Sequence, residues 1–283
     1  MNVQKEGILI KIINIIKEHK DFLLIALLII PLILFTLHFF LPEELKEKLA
    51  LHRDYIIGYE IFTNHFIHTD LKHLLENVIS YLIAVVLLYV PLTFINEKRM
   101  FYILFILNLT ILPIIISLID IKISPLQYNK TLGFSGIVSS FLGMETYAWI
   151  LFLNKNLGIN TVFAYISFIL LIFFSLAFVY AQNNLLLIFF SLAIILVLLI
   201  LTFKSINKKA EKKLIRRARF PLMVKLLKAL IFVLYFIVFV FALAMFPYNP
   251  TGINIMAHYF GYLIGISTFF IFSLKNVKKS KNI

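Results

Sequence analysis

The stretch NLLLIFFSLAIILVLLILTF, residues 184–203, decides the fold class, because it runs for twenty residues without one charged side chain. A helix needs about 20 mainly apolar residues to cross a bilayer. The whole chain of 283 residues has a similar bias, with 61% hydrophobic and only 14% charged residues. A soluble domain would need a more charged surface and a disordered chain would have fewer apolar residues, so both classes are excluded.

Seven further apolar runs of similar length lie on either side of this stretch. The eight predicted spans are 22–41, 73–95, 100–119, 133–153, 161–181, 184–203, 222–246 and 252–274. Gln182 and Asn183 separate two of these runs and predict a tight polar hairpin between them. We therefore predict an all-α polytopic transmembrane helical bundle of about eight spans over residues 22–274. Residues 1–21 and 275–283 are predicted to be a cytoplasmic N-terminal segment and a cytoplasmic basic tail.

The basic residues predict how the chain is oriented. The formal net charge is +13, and 21 of the 27 Lys and Arg residues fall on the side that carries both termini, against 6 on the other side. Cytoplasmic loops carry such an excess, so both termini are predicted in the cytoplasm of a multi-pass protein of the cell membrane. The densest basic run, Lys204 to Arg219, is then predicted to be a cytoplasmic loop that faces anionic lipid heads, and the bilayer, rather than nucleic acid, is the predicted partner. The chain has no cysteine, which excludes disulfides, a thiolate nucleophile and a cysteine metal site.

Polar side chains interrupt the apolar pattern near the outer ends of three spans, where each needs a reason because burying it in a membrane is costly. The first group lies in FTNHFIHTDLKHLLEN, residues 62–77, which contains His65, His68, His73 and Asn77. His73 and Asn77 are four residues apart and share one helical face. Taken alone, the group favours hydrogen bonds between helices. No carboxylate is clearly aligned with these histidines, so no metal is predicted.

Small residues mark the other two places. GFSG, residues 133–136, opens one span, and AHYFGYLIG, residues 257–265, places small residues every fourth position beside His258. Such stripes let helices approach closely, so packing is one explanation of both. The glycines predicted to pack helices are Gly133, Gly136, Gly261 and Gly265.

The combination predicts more than its parts. If the two small faces meet, the Ser135 hydroxyl and the His258 imidazole come within hydrogen-bond reach, as an activated serine nucleophile requires. Acyl chemistry also needs donors for the developing oxyanion, and Asn77, His73 and the Ser135 backbone N–H are the candidates. No acid is placed to orient His258, so the prediction is a Ser–His dyad.

These residues resemble the rhomboid intramembrane serine proteases in order, spacing and helix placement. The resemblance covers roughly residues 55–150 and 247–274. It implies that Ser135 is the nucleophile and His258 the general base and then acid, with Asn77 and His73 lining the oxyanion hole. It also implies hydrolysis of peptide bonds in or near transmembrane segments of substrate proteins, without a cofactor.

The sequence departs from the family in three respects. A six-helix core would carry residues 161–203 as an inserted hairpin, with 222–246 as the family's fifth helix. Ser139 stands where the family often has an aromatic residue that stacks on the catalytic histidine. The Trp-Arg pair common in the first outer loop is missing.

Two other classes stay open from the sequence. One is a catalytically weak or inactive rhomboid-like protein that binds transmembrane segments without cutting them, which the absence of the stacking aromatic favours. The other is a transporter, which would account for eight spans and buried polar residues, although no internal repeat is visible.

Overall fold

The computed structural model describes residues 17–123, 130–180, 184–206 and 255–280, and the isolated positions 229, 231, 233, 236 and 240. Helices dominate these residues. Their bounds are α1 (Lys17–Phe40, π-helical over Phe22–Ile29), α2 (Glu43–Leu49), α3 (Glu60–Thr63), α4 (Leu71–Phe94), α5 (Lys98–Thr110), α6 (Leu112–Ile123), α7 (Ser135–Leu157), α8 (Thr161–Tyr180), α9 (Leu185–Lys204) and α10 (Ile255–Ser280). A 3₁₀ turn covers Asn64–Phe66, and two short strands, β1 (Leu51–His52) and β2 (Lys130–Thr131), form an antiparallel pair.

The mostly helical, membrane-type architecture is confirmed at a coarse level. Four described helices, α1, α4, α7 and α9, are long and apolar enough to cross a membrane, and α5 with α6 makes a fifth if this bent pair is one span. The apolar part of α8 is shorter, Ile166–Phe178. The predicted span 252–274 falls on α10, whereas 222–246 and the hairpin residues Gln182 and Asn183 lie largely or wholly outside the described residues. The count of eight spans and the orientation of the termini stay predictions.

The predicted span 100–119 is broken rather than continuous. α5 and α6 meet at Ile111 with a bend of 44°. Pro113 is the second residue of α6, and a proline inside a helix removes one backbone hydrogen bond and clashes with the carbonyl four residues earlier. The break therefore has a local cause in the sequence.

Helix α7 is the centre of the bundle. In an 18-residue apolar stretch of α7, 94% of the residues are buried, compared with 50% in the corresponding stretch of α4. Protein therefore surrounds α7 on nearly all sides. It packs chiefly against α10 on one face and α4 on another. Gly158, in the left-handed conformation with φ of 65°, ends α7, as glycine commonly does at a helix C-terminus.

The connection between α1 and α4, residues 41–70, folds back onto the helices. The buried Glu60 carboxylate accepts the backbone N–H groups of Ile57 and Gly58, at 2.6 and 2.8 Å, and fixes the turn into α3. Asp70 then caps α4 by accepting the N–H of His73 at 2.8 Å. This connection and the turn before α7 meet at one end of the bundle, where the candidate site lies.

Candidate active site

One cavity of about 450 Å³ brings together three of the four residues predicted to carry the chemistry. Ser135 begins α7, His73 lies in the first turn of α4, and His258 lies in the first turns of α10. The remaining lining residues are His65, Thr69, Asp70, Lys72, Glu76, Thr131, Leu132, Gly133, Gly136 and Ala257. Ser135 thus shares one cavity with His73, which is 62 positions earlier in the sequence, and with His258, which is 123 positions later.

Backbone hydrogen bonds position the turn that leads into Ser135. The Gly133 N–H donates to the Asn64 carbonyl at 2.9 Å, and the Phe134 N–H donates to His68 Nε2 at 3.4 Å. Phe134 itself is fully buried against Phe66 and Tyr81. The start of α7 is therefore tied to the 41–70 connection on the cavity side and to the core beneath it.

Gly133 is required in this turn for two reasons. Its φ is +118°, a conformation that side chains other than glycine rarely adopt. A Cβ at this position would also lie 2.7 Å from Cε1 of His73. Gly133, grouped with the helix-packing glycines from the sequence, is placed by the structure in the turn before α7, where it makes room for the His73 ring.

Asn77 lies one helical turn beyond His73 and is 4% exposed. Its Nδ2 donates to the His73 carbonyl at 2.9 Å, and Asn77 does not line the cavity. A side-chain amide nitrogen carries two hydrogens, and this bond uses one of them. The role of Asn77 in an oxyanion hole stays a prediction, while its contact with the His73 backbone supports the first turn of α4.

Glycines bring α10 unusually close to α7. A Cβ on Gly261 would lie 3.1 Å from the Gly136 carbonyl carbon, and one on Gly265 would lie 2.9 Å from Ser140 Cα. A Cβ on Gly143 would likewise lie 2.8 Å from the Ile266 nitrogen. Carbon atoms in ordinary contact are 3.4–4 Å apart, so only glycine fits these positions without a shift. The small faces of the two helices therefore do meet, and this contact carries His258 to the cavity.

His65 and His68 support the site from the 41–70 connection. His65 is 3% exposed, and its Nε2 lies 2.9 Å from both the Pro113 carbonyl and Ser117 Oγ. The ring of His68 packs edge-on against His73 with centroids 5.2 Å apart. Burial lowers the pKa of His65 to about 4 and that of His68 to about 3, so both rings are neutral near pH 7.

The sequence reasoning missed one buried ion pair beside the cavity. Arg53 Nη2 lies 3.4 Å from Asp120 Oδ2, with side-chain exposures of 7% and 1%. A signal was present: Arg53 is the only arginine between α1 and α4, and Asp120 is the only acid between residues 100 and 123. Isolated charged side chains of opposite sign next to apolar spans are expected to form an ion pair.

Charges at the cavity mouth are better solvated. The His73 N–H and the Thr69 hydroxyl, which donate to the Asp70 carboxylate, hold the pKa of that carboxyl below its ordinary value. Lys72 and Glu76 form an exposed pair with 3.9 Å between charged atoms. Within the described ranges, no group of three or more His, Asp or Glu side chains is arranged to hold a metal ion.

Comparisons with known family models, curated proteins and solved structures found no match for this chain. The likeness to rhomboid proteases is therefore a resemblance of motifs, and any function must be argued from the site itself.

Proposed function

We propose that the protein is an intramembrane serine protease of the rhomboid type, which hydrolyses peptide bonds in or near transmembrane segments of membrane proteins. The observation that carries the proposal is the convergence of Ser135, His73 and His258 on one cavity from three different helices. A hydroxyl, an imidazole base and a second imidazole as a donor are the groups that acyl transfer needs.

In the proposed reaction the Ser135 hydroxyl attacks the carbonyl carbon of the scissile peptide bond while His258 takes its proton. The negative charge that develops on the carbonyl oxygen is stabilised by N–H donors from His73 and from the Ser135 backbone. For Asn77 to add its second Nδ2 hydrogen, as the sequence predicts, its side chain must turn towards the cavity, which it does not line. His258 then gives the proton to the leaving amine. A water molecule, deprotonated by the same imidazole, cleaves the acyl-serine ester and releases the second product. The cavity leaves space beside Ser135 for the water that hydrolysis needs.

The direct test is cleavage of a transmembrane reporter protein by the purified protein in liposomes. Ser135→Ala and His258→Ala are each expected to abolish cleavage while the protein still accumulates and folds. Ser191→Ala is the matched control, because Ser191 lies on α9 and donates to the Leu187 carbonyl, away from the cavity. Cleavage retained in Ser135→Ala contradicts the proposal.

A weakly active or inactive rhomboid-like binder is the second candidate, and Ser139 is the observation that favours it. Ser139 is buried, and a Cβ on Gly261 would lie only 3.2 Å from Ser139 Cβ. Ser139 therefore lies against α10 close to Gly261, and a serine has no ring with which to stack on His258. Binding of the reporter without cleavage, together with no covalent labelling of Ser135 by a fluorophosphonate, would support this candidate instead.

A further inference from the structure

The wall of the cavity next to Ser135 is attached to the 41–70 connection. In the β1–β2 pair, Leu51 is opposite Thr131 and His52 is opposite Lys130. Thr131 is also the first of three consecutive residues, ending at Gly133, that line the cavity. Whatever holds Thr131 therefore fixes one end of the short segment that leads into the nucleophile.

Asp120 holds Thr131 from the end of α6. The Thr131 hydroxyl donates to Asp120 Oδ2 at 3.1 Å. The same carboxylate oxygen faces Arg53 Nη2, which also donates to the Asp120 backbone carbonyl at 2.9 Å. One buried carboxylate thus links the 41–70 connection, α6 and the strand that precedes Ser135.

Because the ion pair is buried, its contacts must have a well-defined geometry. Taking two charges out of water is costly, and the cost is recovered only when their contacts are well formed. A hydrogen bond to a buried charged group also contributes more to stability than one between neutral groups. The Thr131 hydroxyl therefore has a strongly preferred position on Asp120.

We propose that Arg53, Asp120 and Thr131 are positioning residues for the nucleophile. They hold the cavity wall so that the turn over Gly133 presents the Ser135 hydroxyl and backbone N–H to the substrate. None of the three touches the reacting atoms, and their effect passes through Thr131. This inference rests on the proposed protease function.

Thr131→Val tests the link with little change of shape, because valine replaces the hydroxyl by a methyl group. We expect its rate constant for fluorophosphonate labelling of Ser135 to fall about tenfold, as the loss of a hydrogen bond to a charged group implies. Thr131→Ser keeps the hydroxyl and is expected to label within about twofold of wild type. Lys130→Gln is the matched control on the same strand, since it removes only the exposed ion pair with Glu47 and is expected to leave the rate constant unchanged.

The rate constant and the amplitude of labelling distinguish a positioning defect from a loss of stability. A positioning defect lowers the rate constant while all of the protein still reacts, whereas a folding defect lowers the reactive fraction. Thr131→Ala, which also lacks the hydroxyl, gives the same test if the valine variant does not accumulate. The inference is overturned if Thr131→Val keeps the wild-type rate constant, if only its amplitude falls, or if Thr131→Ser is as slow. No labelling of the folded wild-type protein would instead overturn the protease proposal, and this inference with it.

Discussion

Replacing Gly261 by alanine tests whether the spacing of α7 and α10 controls the reactivity of Ser135. The added Cβ would lie 3.1 Å from the Gly136 carbonyl carbon and 3.2 Å from Ser139 Cβ, and nearer still to the Gly136 carbonyl oxygen. Ordinary carbon contacts begin at 3.4 Å, so the helices must separate or slide. Because Gly136 follows Ser135 and Gly261 lies one turn from His258, the shift acts directly on the spacing of these two residues.

The expected effect on activity exceeds the expected effect on stability. Overpacking costs about 1–3 kcal/mol, and alanine in a helix recovers about 0.8–1 kcal/mol relative to glycine, so a net loss of stability remains because the atoms met are backbone atoms of Gly136. A misplacement of about 1 Å between reacting groups can reduce a rate by about 100-fold. We therefore expect Gly261→Ala to fold and to label with a fluorophosphonate roughly 10- to 100-fold more slowly than wild type.

The assay is the rate constant of labelling in detergent, measured beside a thermal unfolding curve for the same sample. Ser267→Ala is the matched control, because Ser267 is exposed on the same helix and its truncation leaves the α7 contact intact. Labelling of Gly261→Ala at the wild-type rate constant would refute the reasoning that close glycine packing sets the site.

Three more predictions follow from the site. The buried neutral state of His65 and His68, with pKa values of about 4 and 3 in the fold against about 6.5 when unfolded, stabilises residues 41–70 fully above pH 6.5. That stability falls by up to about 1.4 kcal/mol per histidine and pH unit as the pH drops from 6.5 towards 4. The amide protection factors of this segment, corrected for intrinsic exchange rates, should therefore be lower at pH 5 than at pH 7, and equal protection factors at both values would contradict this. Gly133→Ala should reduce labelling at least tenfold, since its Cβ would collide with the His73 ring; a wild-type rate constant for this variant would show that the turn tolerates a side chain. Glu145→Gln should leave the labelling rate unchanged, because this buried acid lies ten residues along α7 from the nucleophile, about 15 Å away; a large loss of rate would assign the carboxyl a role in the site.

The sequence anticipated the features that depend on local chemistry. Long uncharged runs such as 184–203 have few alternatives to a helix, and α9 follows that prediction almost residue for residue. The four-residue spacing of small residues around His258 predicted a close helix contact, and α10 makes it with α7 at Gly261 and Gly265. Pro113 is an equally local signal for a break, yet the apolar residues on both sides of it favour one continuous span in the sequence.

What the sequence could not supply depends on contacts between distant residues. The pairing of Arg53 with Asp120 joins positions 67 apart, and no periodicity reports it. The place of His65 in the cavity wall, and its contacts with Pro113 and Ser117, follow from how the 41–70 connection folds back, which no local pattern reports. Asn77 is hydrogen-bonded within α4, whereas His73 faces the cavity. Their four-residue spacing places both on one helical face and does not predict this difference.

Mass-spectrometric mapping of a fluorophosphonate adduct on the folded, full-length protein tests most directly whether His258 activates Ser135. Wild type is expected to carry the adduct on Ser135, and His258→Ala, with an unchanged unfolding temperature, is expected to carry none. A folded wild-type protein without an adduct at Ser135, or an equally fast adduct in His258→Ala, would contradict a Ser–His mechanism in this cavity.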